Sequence, residues 1–308
     1  MEKWISISDA AQKWGITEQT ARRYCRNGLV PRAFMENHIW FVPSRAKNPV
    51  KDGCYRLPSP PLLQKILDQK SSYDRELYNF LQVNMTYSSS RLSSNRLTRN
   101  HVEYLFKKNR LLVTNESMKL NDYIEVRNHF LCVDRIFEEG MTPLKPAFVI
   151  DLHRMLFSDI CGHKFRPIKC GEFRTTEAPP NTEYQVLPNE IKPALSALFK
   201  RYEALEQVTL FDILNLHVQF ERIRPFEDGN GRIGRLIMLK ECLRRNLTPF
   251  IIDDKRRFEY LKGIQEWDED PALLLSVCRE CQARFQSQIE VLEMINTHSR
   301  MVRQFRRE

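Results

Sequence analysis

The sequence predicts a mainly α-helical protein. A helical bundle core with a β-hairpin flap is preceded by a small winged helix-turn-helix module. Three observations carry this expectation. From Leu62 onward, apolar residues recur at helical spacing over most of the chain. The first fifty residues hold two short capped helical runs followed by a hairpin pattern. A Pro-rich, irregular connector lies between these regions.

Composition sets the outer bounds. The 308 residues suffice for one large core plus a small module. Hydrophobic residues make up 42% and charged residues 28%, an ordinary water-soluble balance. The net charge of +9 is compatible with nucleic acid or nucleotide partners. Eight cysteines are present, none with zinc-ribbon or finger spacing. Cys278 and Cys281 form a lone C-x-x-C within an apolar helical pattern and read as buried thiols. This usage suits a reducing, cytoplasmic setting. The opening MEKWISISDA has no apolar signal region, and no run reaches 18 apolar residues, so neither a secretion signal nor a membrane partner is expected.

At the start, Ser8 caps a helix over Asp9–Trp14, which Gly15 ends. Thr17 caps a second, Glu18–Arg26, which Asn27-Gly28 ends. Two short helices joined by a three-residue turn containing Gly match a helix-turn-helix. Its second helix carries Gln19, Arg22, Arg23 and Arg26, types that can face a DNA groove and its phosphates. Ala33–Val42 reads as a hairpin wing turning at Glu36-Asn37. Residues 1–52 hold nine Lys/Arg and five Asp/Glu, a net of +4. Two readings stand, a DNA reader and a protein-docking or structural module, because fold does not dictate function. The connector runs from Pro43 to Pro61, with 53–61 as the linker proper.

Residues 62–120 form a helical region, with one stripe of Leu62, Leu63, Ile66 and Leu67 and another of Leu77, Phe80, Leu81 and Met85. The main core spans 121–290. Asn121–Glu139 and Leu144–Phe157 are amphipathic, with Asn128, His129 and His153 as structural hydrogen-bonding residues. Cys170–Leu187 breaks the helical pattern at Gly171-Glu172-Phe173-Arg174, and Pro179-Pro180-Asn181 marks a turn between two extended runs. This is the flap. Helices follow over Thr209–Ile223, from Arg232 onward with Leu236, Leu239 and Leu243 inward, and over Pro271–Ile295. His217 reads as buried structure, and the arginines of the 291–308 tail as a solvated face.

The chemistry concentrates in Phe220–Arg235, FERIRPFEDGNGRIGR. Pro225 ends one helical run. Asp228 and Asn230 are good N-cap types for the next. Gly229 and Gly231 let the backbone approach a ligand, and N–H groups at a helix start point at negative charge. Arg232 and Arg235, three apart, share one side of the new helix and can reach the same polyanion. Asp228 at the mouth can hold a divalent cation beside phosphates.

This stretch resembles the signature of the Fic family, His-Pro-Phe-x-Asp/Glu-Gly-Asn-Gly-Arg-x-x-Arg, with Arg224 at the histidine position. Further upstream, TYSSSRLSSNRLT resembles the family's regulatory motif Ser/Thr-x-x-x-Glu-Gly/Asn. Ser89 aligns with its first Ser, Ser93 with the Glu and Ser94 with the Gly. The first module resembles MerR-type winged helix-turn-helix domains. The resemblance implies a Fic-type core that transfers AMP from ATP to a hydroxyl of a target protein. Mg²⁺ would sit on Asp228. Gly229, Asn230, Gly231, Arg232 and Arg235 would hold phosphates, and Tyr260 would contact adenine. Gly171, Phe173 and Arg174 would open the flap over the target segment. The family's histidine is its base, and an arginine has no lone pair to accept a proton. Ser93 cannot make the inhibitory ion pair that the family's Glu makes with the last Arg. The expectation is an ATP-binding but catalytically impaired scaffold. The alternative is a pseudoenzyme that senses nucleotide and regulates DNA. Both leave room for a homo-oligomer.

Overall fold

The computed structural model describes residues 3–26, 30, 32–36, 39–48, 60–72, 74–112, 117–160, 169–177 and 186–305. Several expectations lie outside them: the Asn27-Gly28 helix end, the turn residue Asn37, most of the linker, and the flap tip Pro179-Pro180-Asn181. The side chains of Arg23, Arg26 and the tail arginines are likewise not described. The chain divides into two units, Met1–Ser59 and Pro60–Glu308.

The first unit runs β1 (Trp4–Ser6), α1 (Ile7–Trp14), α2 (Glu18–Arg26), β2 (Phe34–Glu36) and β3 (Ile39–Pro43). Helix α1 starts two residues before the expected point. Its cap is Ser6, whose Oγ accepts the Asp9 N–H at 3.2 Å, and not Ser8. Both serines precede Asp9, but Ser6 has the extended backbone that a cap requires. Gly15 ends the helix at φ 67°, a left-handed conformation that suits Gly. Thr17 caps α2 through the Thr20 N–H. The expected two-stranded wing is a three-stranded antiparallel sheet, because β1 pairs with β3 (Trp4 opposite Pro43). Ile7, Ala10, Trp14, Ala21 and Val42 form its small core.

The second unit is helical: α3 (Pro61–Lys70), α4 (Glu76–Leu92), α5 (Arg99–Lys108), α6 (Leu120–Glu138), α7 (Pro146–Leu156), α8 (Ile191–Glu203), α9 (Leu210–Ile223), α10 (Asn230–Arg244), α11 (Arg257–Gln265) and α12 (Pro271–Phe305). The cap of α9 is a full box. Thr209 Oγ1 accepts from Asp212 N, and Asp212 Oδ2 accepts from Thr209 N. Helix α10 is buried on all sides, which is the mark of a central helix. It packs on α9, α6, α3, α4 and α7. Even Lys240 and Glu241 are fully buried, and they pair at 3.1 Å. Lys240 also donates to Gly140 O at 3.2 Å, and Glu241 pairs with Arg244 at 3.2 Å. A buried charge with such partners is tolerable, whereas one without them is not. This arrangement fixes the C-terminal half of α10 against the α6–α7 connection. Among the described residues no helix is long and apolar enough to cross a membrane. Cys278 and Cys281 are buried free thiols, as expected.

Candidate functional site

The loop between α9 and α10 is built by side chains that bond to backbone. Arg224 takes φ 44°, and its N–H caps α9 at Phe220 O. Asn230 closes the turn, its Oδ1 accepting from Phe226 N at 3.0 Å and its Nδ2 donating to Phe226 O at 2.8 Å. Asp228 Oδ1 accepts from Gly229 N at 2.5 Å. The N-cap of α10 is therefore Gly229, at φ 83° and without a side-chain cap, and neither Asp228 nor Asn230 takes that place. Gly is needed there for two reasons. The backbone is left-handed, and a Cβ would stand 2.5 Å from the Phe157 ring.

Two residues from elsewhere lock this loop. His153 stacks on Phe226 at 3.9 Å and 9°. Its Nδ1 accepts from Gly171 N at 2.9 Å, so the proton sits on Nε2, which faces Asp228 O at 3.2 Å. Burial pushes this imidazole down to about 4, against weaker opposing effects of Asp228. Arg174 is almost fully buried. It donates from Nε to Arg224 O (2.8 Å) and from its guanidinium to Ile223 O, Thr176 O and Val186 O. Its own N–H bonds Pro225 O at 2.9 Å. Burial first, and the Arg224 charge second, lower its pKa. Gly171 is left-handed at φ 70°, and Phe173 leans on Phe226 at 5.9 Å. Gly171, Phe173 and Arg174 are thus part of the loop's frame.

The two α10 arginines are both buried but have different partners. Arg232 pairs with buried Glu125 of α6 and, at 2.9 Å, with Asp228, and lies over the Phe157 ring. Burial, then Arg235, lower its pKa to about 9. Arg235 has neutral hydrogen-bond partners: Ser89 Oγ at 3.0 Å, Ser89 O at 2.9 Å and Ser93 Oγ at 2.9 Å. Ser93 makes no ion pair, but its hydroxyl reaches the same guanidinium. Ser94 is exposed at φ 69°, which gives a physical reason for Gly at that position in the resembling motif.

Tyr260 is not on an open wall. It is 1% exposed and its hydroxyl bonds His217 Nε2 at 2.5 Å, so its ring offers no face to adenine. Its apolar neighbours on α11 point outward instead, with Phe258 75% exposed. His217 is fully buried, its pKa pushed down to about 3 by burial and then by Arg235. In the first unit Gln19 is exposed, while Arg22 is held by Glu18 at 2.8 Å. Sequence reasoning missed Glu125 and Glu221. Glu125 had a signal, an acid set among the inward residues Tyr123, Val126 and Phe130.

The sequence model of the Fic/DOC family matches residues 143–242, which span the flap, α9, the loop and most of α10. This stretch is similar to the Fic/DOC family. Curated relatives include a protein adenylyltransferase Fic from Culex quinquefasciatus, 30% identical over 128 residues. That alignment covers 39% of this chain and 24% of the relative. One from Drosophila grimshawi is 32% identical over 130 residues, covering 40% and 26%. The match thus spans about a quarter of these relatives' length. Among solved structures, a Fic domain-containing signalling protein from Bacteroides thetaiotaomicron superposes with a TM-score of 0.59 at 21% identity, covering 73% of this chain and 94% of that one. A Fic family protein from Desulfovibrio desulfuricans gives 0.55 at 18%, covering 75% and 77%. The helical unit therefore has the Fic fold. The serines of α4 and the whole first unit lie outside the residues matched by the family model.

Proposed function

We propose that this chain is a Fic-type scaffold that binds ATP at the Asp228–Arg235 loop but transfers AMP poorly or not at all. The single observation that carries this is Arg224 standing at the loop's entrance, where the family signature has its base. The loop around it is otherwise intact. An arginine can attract a phosphate but cannot take a proton from an attacking hydroxyl. Binding is therefore retained while the proton-transfer step, typically worth about 10²–10⁴-fold, is missing.

The remaining residues have binding roles. The N–H groups at the start of α10 suit an anion. Arg232 and Arg235 supply buried positive charge, and the Arg232 Nε has no partner among the described residues. Asp228 suits a divalent cation jointly with phosphates. Its side chain is 41% exposed at the loop mouth, and no group of three His, Cys, Asp or Glu among the described residues forms a metal centre on its own. Bound there, Mg²⁺ would neutralise phosphate charge. The flap segment over Arg174 would hold a target protein presenting Ser, Thr or Tyr.

Calorimetry of the full chain with ATP and Mg²⁺ tests the reading. Saturable binding is expected, and its absence overturns it.

A second reading rests on the first unit, where α1 and α2 join through the three residues Gly15–Thr17 beside a small sheet. It makes the chain a nucleotide-sensing DNA-binding regulator. Gel shifts over a salt series test it, and a sequence-selective complex that weakens with salt is expected.

A further inference from the structure

The last helix outruns the core it packs against. Helix α12 extends from Pro271 to Phe305, yet Ile289 is the last buried residue among those whose side chains are described. Up to that point Leu274, Cys278, Cys281, Phe285 and Ile289 make one inward stripe. One turn on, Lys65 of α3 still holds Glu293. Elsewhere on the helix surface Val291 is 54% and Met294 69% exposed. Met294 stands five residues after Ile289, about 140° round the helix, so it does not continue the inward stripe.

In the sequence these two residues open a second stripe. Val291, Met294, His298, Met301 and Phe305 follow at spacings of three, four, three and four. Ile295 and Val302 widen it. The backbone is helical over all these positions, so they share one face, turned away from the inward stripe. Alternating steps of three and four over two heptads are the pattern by which one helix packs along another. The charges run end to end. Glu290 and Glu293 stand where the stripe begins, and Arg300, Arg303, Arg306 and Arg307 where it ends. Two such helices side by side in parallel would crowd the arginines of both. Antiparallel, each acidic start lies toward the partner's basic end, and the helix dipoles oppose one another. The stripe is also symmetric about His298. Reversing one copy about that point sets Val291 opposite Phe305 and Met294 opposite Met301. His298 is the one polar residue in the repeat, and a polar core position fixes register.

We propose that the end of α12, residues 290–305, is the contact of a homodimer, packed antiparallel against the same segment of a second copy and crossing it at His298. A two-fold contact of this kind is closed, so assembly stops at two. The contact does not involve the Asp228–Arg235 loop and stands whether or not that loop binds nucleotide. An anionic membrane surface is the competing occupant for an apolar stripe backed by arginines. The sustained three-four spacing and the acidic start at Glu290 and Glu293 favour a helix partner.

Sedimentation equilibrium of the full chain at about 1–100 μM tests this. The native chain is expected to reach twice the monomer mass within that range. Met294→Glu sets a charge in the stripe and should weaken association by about tenfold or more. Its circular dichroism and thermal midpoint should stay native, because that side chain is exposed in the single chain. A native chain that remains monomeric throughout, or a Met294→Glu chain that associates as well as the native one, overturns the proposal. Disulfide linking under a mild oxidant, read above the level of the native chain, gives the direction. His298→Cys should yield a covalent dimer. Val291→Cys should not, because the two copies of position 291 would lie about 20 Å apart along the pair. Equal linking through Val291→Cys refutes the antiparallel arrangement. Flotation with phosphatidylcholine vesicles containing about 30% phosphatidylserine covers the competing occupant. A chain that floats with them through this segment and stays monomeric without them overturns the proposal in favour of a membrane surface.

Discussion

Arg235 donates through Nη2 to Ser93 Oγ at 2.9 Å. The hydroxyl at the C-cap of α4 therefore engages the guanidinium that an incoming phosphate would need. On the nucleotide-binding reading proposed above, a phosphate competes with these neutral partners for Arg235. A carboxylate there would hold it harder, as an ion pair added to the hydrogen bond. Ser93→Glu is expected to weaken ATP binding about tenfold or more, read as a calorimetric dissociation constant. An unchanged constant would show that Arg235 does not have to leave α4.

Ser94 has φ 69° and is exposed, so its side chain costs strain without packing in return. Ser94→Gly should stabilise the fold by about 1 kcal/mol. Urea denaturation measures this as a higher midpoint at constant slope.

Arg224→His should confer AMP transfer, raising labelling from radioactive ATP by about 10²–10⁴-fold. Histidine accepts left-handed backbone more readily than most residues, so the φ of 44° at this site is no obstacle. Equal labelling by the native chain would refute the assignment of position 224.

Gly229→Ala combines a left-handed backbone with a Cβ 2.5 Å from Phe157. The expected loss is about 3 kcal/mol, from strain and overpacking together. Thermal unfolding of the variant is the check, and a native-like midpoint would contradict the geometry.

Acid stability follows from three buried histidines. Burial pushes His153 down to about 4, and His129 and His217 down to about 3. All three are neutral in the folded chain near pH 5, while the unfolded chain protonates them below about 6.5. The unfolded state then binds more protons, so stability is full above about pH 6.5 and falls as pH drops toward 4. The steepest slope is about 1.4 kcal/mol per pH unit for each histidine. His153→Gln should shallow it, as measured by urea midpoints between pH 4 and 7.

Local patterns made much of this legible. Periodic apolar residues, Thr209 before an apolar run and Gly15 after one place α9 and α1 closely, because these signals are local. Strand β1 was not legible, since three residues have too little alternation to read, and their pairing is with a strand about forty residues on. The loop's residue types could be read from the sequence, but its partners could not. Glu125 meets Arg232 from 107 positions away, and Ser89 meets Arg235 from 146. Tyr260 was misplaced because an aromatic ring beside a site reads the same in sequence whether it faces inward or outward.

Arg174 caps the carbonyls at the end of α9 from fifty positions earlier in the chain. The sixteen-residue stretch around the loop is therefore not an autonomous cassette. Transplanted into another helical hairpin, it would bring its glycines and arginines but lose the guanidinium that completes its C-terminal end and the imidazole stacked beneath it. Protein engineers borrowing this loop would need to carry residues 153–174 as well.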